Sequence, residues 1–156
     1  MDSADCVRHY KALANVERAF RSMKTLDLKV RPIHHRLEER VRAHIFLCML
    51  AYYVEWHLRE AWRELMFADE DQAAKAGRDP VAPARRSKAA LEKIGQRVLG
   101  DGTPVHSFST LLAELATRVR NTCRTRAGET GPTFQITTTP SLLQKRALDC
   151  VERITV

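Results

Sequence analysis

LEERVRAHIFLCMLAYYVEWHLREAWRELMF, residues 37–67, decides the fold class. It contains neither Gly nor Pro, and it opens on Glu38 and Glu39, acids that suit the positive end of a helix dipole. It predicts the longest helix of the chain. The middle, IFLCMLAYYV at 45–54, is apolar on all sides rather than along one stripe. In a globular protein that pattern predicts a helix buried by neighbours all round, and therefore the core. Arg40, Arg42, Arg59 and Arg63 keep its ends in water. The apolar run is roughly half of the ~20 residues that a membrane span needs, so no membrane is expected as a partner.

Upstream, Ser3 to about Lys24 reads as a helix, with Ser3 or Asp5 available to cap its first amides. Leu13, Val16, Phe20 and Met23 recur at three- and four-residue steps and give it one apolar face. A connection from Thr25 to His35 follows. Its alternating Leu26, Leu28 and Val30 suggest a brief strand, ended at Arg31-Pro32 because proline cannot donate to a ladder. Downstream, residues 68–86 turn acidic and then Ala/Pro-rich (DPVAPARR) and read as a linker. Short helices are expected at 87–99 and from Ser107 to about Arg120, with a turn at GDGTP between them. FQITTT at 134–139 has the β-branched content of a strand, and Pro140 opens a last helix through Val151. The expectation is a mainly α protein with one or two short strands. Residues 1–67 form one segment, 68–86 a linker loop and 87–156 a helical extension.

The 156 residues carry 26 Lys and Arg against 19 Asp and Glu, a formal charge of +7. That excess suits a polyanion, nucleic acid first. No basic stretch followed by an apolar run marks a secretory signal, so a cytoplasmic location is expected. Cys6, Cys48, Cys123 and Cys150 are widely spaced, without zinc-ligand pairing, and no chemistry is assigned to them. His34-His35 could ligate a metal, but adjacent residues point apart; His44 and His57 lie thirteen apart on the long helix with no acid at zincin spacing, and no Gly-rich phosphate loop is present.

Tyr10, Glu17 and Lys24 are separated by seven residues each time. Seven residues fall about 20° short of two helical turns, so the three project along one stripe. The stripe borders the apolar face, and Arg18 and Arg21 follow the acid directly. A carboxylate amid cations at the edge of a cleft suits metal-assisted phosphoryl transfer, the acid holding a divalent ion and the cations the phosphates. Lys29 and Arg31 extend the cationic cluster. Glu and Lys at helical spacing equally describe an ordinary solvated face.

The stretch YKALANVERAFRSMK, residues 10–24, resembles the C-terminal signature helix of insertion-sequence transposases of the DDE superfamily. That signature runs Tyr, two residues, Arg, three residues, Glu, six residues, Lys. Tyr10, Glu17 and Lys24 fall on it, and Leu13 stands at the Arg position. The following RPIHHRLEERVRAHIFLCMLAYYVEWHLREAW is similar to the connection and long apolar helix after the signature. The resemblance implies the C-terminal part of a ribonuclease-H-like α/β catalytic domain acting in DNA transposition. In that family two aspartates and a glutamate bind two divalent ions, Mg²⁺ as the expected cofactor, for strand nicking and strand transfer. It makes Glu17 the third acid and metal ligand, with Tyr10 and Lys24 contacting transposon-end DNA. Arg18, Arg21 and Arg31 are the accompanying phosphate contacts. Leu13 cannot donate to phosphate, and Arg21 could do so in its place. Only Asp2 and Asp5 precede Glu17, both on or beside its own helix. The expectation is therefore a C-terminal portion of a transposase, inactive alone. It would have DNA as partner, at transposon ends and target, and self-association or association with intact transposase as its protein contacts. The rivals are a stand-alone helical DNA-binding or interaction module and an inactive remnant of a decayed insertion sequence.

Overall fold

The computed structural model describes residues 2–26, 28, 30–125 and 131–154. Among them are six α-helices and one two-stranded antiparallel sheet, a mainly helical protein. The helices are α1 (Ser3–Arg21), α2 (Glu38–Ala61), α3 (Gln72–Gly77), α4 (Lys88–Gln96), α5 (Phe108–Ala116) and α6 (Leu142–Glu152). The strands are β1 (Arg120–Arg124) and β2 (Thr133–Thr137). The chain divides into two compact units: Met1–Glu60 with Asp71–Ser87, and Ala61–Glu70 with Lys88–Val156.

In the first unit α1 starts at Asp2 as N-cap, without a side-chain cap bond, rather than being capped by Ser3 or Asp5. Its α-helical part stops at Arg21 and opens into a π turn over Ser22–Leu26, so the helix reaches Lys24 only in widened form. No strand forms among the described residues of 26–30. The Leu28 and Val30 amides instead donate to the carbonyls of Ser22 and Met23, while Asp27 and Lys29 lie outside the described residues. None of the residues of α1 is buried.

The long helix departs most from its sequence reading. It is not buried all round. Val41, His44, Cys48, Ala51, Tyr52 and Glu55 form a half- to fully buried stripe at three- and four-residue steps. Leu28 and Val30 reach this stripe: His44 Nε2 lies 3.1 Å from the Val30 carbonyl, and the Cys48 thiol 4.0 Å from that of Leu28. Glu55, buried, accepts both Nε and Nη2 of Arg59 at 2.7 and 2.6 Å. Ile45, Leu47, Met49, Leu50, Tyr53 and Val54 stay substantially in water, as do Phe46 (63%) and Trp56 (49%). Apolarity on every side of a helix thus states a demand for burial, and this unit meets it along one stripe only.

The core lies in the second unit, whose helices are apolar along one side rather than all round. Leu65, Leu111 and Ala147 are fully sealed, and Trp62, Met66, Ala90, Val105 and Cys150 are buried with them. After Ala61 the chain tightens into a 3₁₀ turn over Arg63–Leu65, which turns Trp62 and Leu65 inward. The Trp62 indole donates to the Ala147 carbonyl at 2.8 Å, and its ring centroid lies 5.7 Å from that of Phe108. Ser107 and Ser141 start α5 and α6 with reciprocal capping boxes, to Thr110 and Gln144 respectively. These satisfy amides that a helix start leaves open. Gln144, itself buried, also donates to the Glu114 carbonyl and the Thr117 hydroxyl at 2.8 Å each, joining α6 to the end of α5.

Truncating a sealed leucine removes its transfer energy and leaves a cavity. Leu65→Ala or Leu111→Ala should each cost about 2–5 kcal/mol, whereas Phe46→Ala on α2 should stay within about 0.5 kcal/mol. Urea unfolding monitored by far-ultraviolet circular dichroism checks this; comparable losses at residue 46 would contradict the placement of the core.

Candidate functional site

The residues expected to carry chemistry lie on α1 and in the connection after it. Tyr10 is 76% exposed, and Glu17, Arg18, Arg21, Lys24 and Arg31 are all exposed. Tyr10 and Glu17 share the stripe that their spacing demands, because α1 is unbroken between them. Lys24 sits on the π turn, with its ammonium 5.5 Å from the centroid of the Phe20 ring. The apolar edge beside the stripe is open as well, Leu13, Val16 and Phe20 each being more than half exposed. At the start of the helix Arg8 bridges to Asp5 at 2.8 Å, and Lys11 donates to the Pro80 carbonyl. Glu17 itself faces solvent.

The donor set does not fit a divalent ion on its own. Mg²⁺ takes near-octahedral oxygen ligands and is held by one or two carboxylates together with substrate oxygens. Glu17 offers one carboxylate on an exposed helix. Among the described residues no group of three or more His, Cys, Asp and Glu is placed to hold a metal. What α1 and its connection can do unaided is present a row of cations to a phosphate backbone, with one acid inside the row.

A second cluster, in the second unit, is invisible to sequence reasoning. Glu64, from the 3₁₀ turn, accepts the Arg146 guanidinium at 3.1 Å and the Cys150 thiol at 3.4 Å. Arg146 reaches on to Asp101 at 2.7 Å, and Arg153 donates to the Cys150 sulfur at 3.0 Å. Buried Lys93 donates to the Glu70 carboxylate and to the carbonyls of Glu64 and Ala68 at 3.3 and 3.5 Å. Glu64, Glu70, Lys93, Asp101 and Arg146 line a cavity of about 500 Å³, with Glu92 also in its wall. Glu64 and Arg146 come from segments far apart in the chain, as do Glu70 and Lys93, so no local spacing could have shown it.

Burial pushes the Glu64 carboxyl up, but hydrogen bonds from Arg146 and Cys150 and the charges of Arg146 and Arg153 outweigh it. The net value lies below that of an ordinary glutamate. Burial raises the Cys150 thiol, which keeps it protonated and unreactive. Hydrogen bonds from Thr103, with the Arg146 charge, lower Asp101. Glu64, Glu70 and Asp101 each have a cationic partner. The cluster has compensated charge and a protonated thiol, the marks of a structural network rather than of a reactive centre.

A carboxylate lowered in the folded state contributes stability above its unfolded value, about 4.3, and loses it as pH falls through the folded one. The second unit should therefore lose stability on acidification below about pH 4.5, and Glu64→Gln should flatten that part of the profile. Thermal melts from about pH 7 to about pH 3 check this; a variant as acid-sensitive as the parent would contradict the role given to Glu64.

No family model matches the chain, and no curated protein and no solved structure is significantly similar to it.

Proposed function

We propose that residues 1–67 are the C-terminal segment of the ribonuclease-H-like catalytic core of a DDE transposase, and that the protein serves DNA transposition. The observation that carries the reading is α1 itself. Tyr10 and Glu17 lie on one stripe of this helix, Arg18 and Arg21 flank the acid, Lys24 follows on the π turn, and none of the helix's residues is buried. The open edge formed by Leu13, Val16 and Phe20 supports the same reading, since a signature helix lies against a central sheet in such a core. In this proposal Glu17 is the third acid. Tyr10, Arg18, Arg21, Lys24 and Arg31 hold the DNA backbone at the transposon end. Asp2 and Asp5 share or border the helix of Glu17, so neither serves as one of the two aspartates of such a core. With Glu17 as the one acid of the proposed site, the chain alone is inactive in strand nicking.

The uncovered side of α2 makes self-association, or association with intact transposase, part of the proposal. Ile45, Phe46, Leu47, Met49, Leu50, Tyr53 and Val54 together offer the kind of contiguous apolar surface that marks protein contacts. A second reading, a stand-alone helical DNA-binding module, is favoured by one observation. The second unit has its own sealed core around Leu65 and Leu111.

Each phosphate neutralised by a side chain releases counterion and steepens the salt dependence of binding by about 0.9 in the log–log slope. Arg18→Ala with Lys24→Ala should flatten that slope by up to about two units, while Arg85→Ala with Arg86→Ala, outside the helix, should do less. Fluorescence anisotropy on a labelled duplex across a salt series reads both. Equal effects from the two pairs, or no binding at low salt, would contradict a DNA-facing α1.

A further inference from the structure

The ribbon of β1 and β2 belongs to the second unit and takes no part in the reading above. Its register sets Arg120 opposite Thr137, Thr122 opposite Gln135 and Arg124 opposite Thr133. Side chains alternate across a strand, and directly paired residues share a face. These six residues therefore form one face of the ribbon, while Asn121, Cys123, Phe134 and Ile136 form the other. All six are exposed. The first face carries no carboxylate, and every side chain on it can donate a hydrogen bond. Arg118, also exposed, adds a third cation just before β1. Among the described residues neither Arg120 nor Arg124 is in a salt bridge.

We propose that this face enters the major groove of duplex DNA and reads base edges. The groove, about 12 Å wide, admits a two-stranded ribbon. At ~3.3 Å per residue, Arg120 and Arg124 stand about 13 Å apart, close to four base-pair steps of ~3.4 Å. Each guanidinium fork matches the O6 and N7 acceptors of a guanine, and the amide of Gln135, midway between them, matches the N6 and N7 pair of an adenine. The threonines supply a hydroxyl and a methyl, the latter fitting the thymine C5 methyl group. The excess of cationic donors without acids points to a polyanion, and shape selects DNA over RNA. The major groove of A-form RNA is too deep and narrow for side chains to read. Phosphate contacts position a protein, whereas base contacts specify sequence. The ribbon thus does what the cations of α1 cannot, and the inference stands whether or not α1 belongs to a transposase.

Selection of bound duplexes from a randomised pool by the full 156-residue chain tests it. The expected result is an enriched motif of about four to five base pairs with guanine at its ends. Arg120→Ala and Arg124→Ala should each relax a different position, with a loss of discrimination of about tenfold to a hundredfold. Gln135→Leu keeps the net charge, so it should leave the salt dependence unchanged and relax a third position. It decides the matter alone if either arginine variant fails to fold by circular dichroism. Arg18→Ala with Lys24→Ala should weaken binding to all sequences alike and leave the motif intact, so failure of the α1 reading is visible separately. A pool that returns no motif, a motif unchanged in the variants, or equal binding to duplex RNA would overturn the proposal.

Discussion

The indole of Trp62 is the point on which the second unit turns. It is buried, and its one polar atom is satisfied by the Ala147 carbonyl, 85 residues away in the chain. A large aromatic group gains most from leaving water when its N–H keeps a partner. That bond brings the turn after α2 to α6, and with the turn comes Leu65, sealed as Leu111 and Ala147 are. The charges around the core follow from the same turn. Glu64 sits between Trp62 and Leu65, so fixing the turn sets its carboxylate before Arg146 and Cys150, and Lys93 reaches the carbonyls of the same segment. Such pairs contribute less through their attraction than through the cost of separating them, because removal of one partner strands the other partly out of water.

What is legible in the sequence is local. Ser107 announces α5 because its hydroxyl can reach the Thr110 amide and the Thr110 hydroxyl can return the bond. Pro140 marks the start of the last helix, one residue before the Ser141 cap. FQITTT reads as a strand because β-branched residues suit a pleated backbone, and β2 lies there. Its partner gives no such signal. RNTCR has polar and charged residues where the helix from Ser107 could still be running, and only pairing with β2 makes it a strand. Short α3 reads as linker, since its one signal is the Asp71 cap on the Ala74 amide.

The buried stripe of α2 and the charge network are illegible for a different reason. Hydrophobicity says how much a segment gains from burial, not whether neighbours supply it. The run IFLCMLAYYV states the demand, yet its covered side is chosen by His44 and Cys48 meeting Leu28 and Val30. The Glu64–Arg146–Asp101 network joins three places in the sequence and leaves no periodic trace. The α1 residues are legible as a spacing and a resemblance. The structure adds that they lie on a helix with no buried residue.

The two units therefore differ in kind. One seals its core with its own residues; the other holds its charged helix and most of its apolar helix in water. Hydrogen exchange measures that difference directly, since amides in a self-sufficient core open only with global unfolding and those of uncovered helices open locally. Slow exchange is expected for α5, α6 and the turn at Leu65, and much faster exchange along α1. Protection of the α1 amides equal to that of α5 in the isolated chain would contradict it.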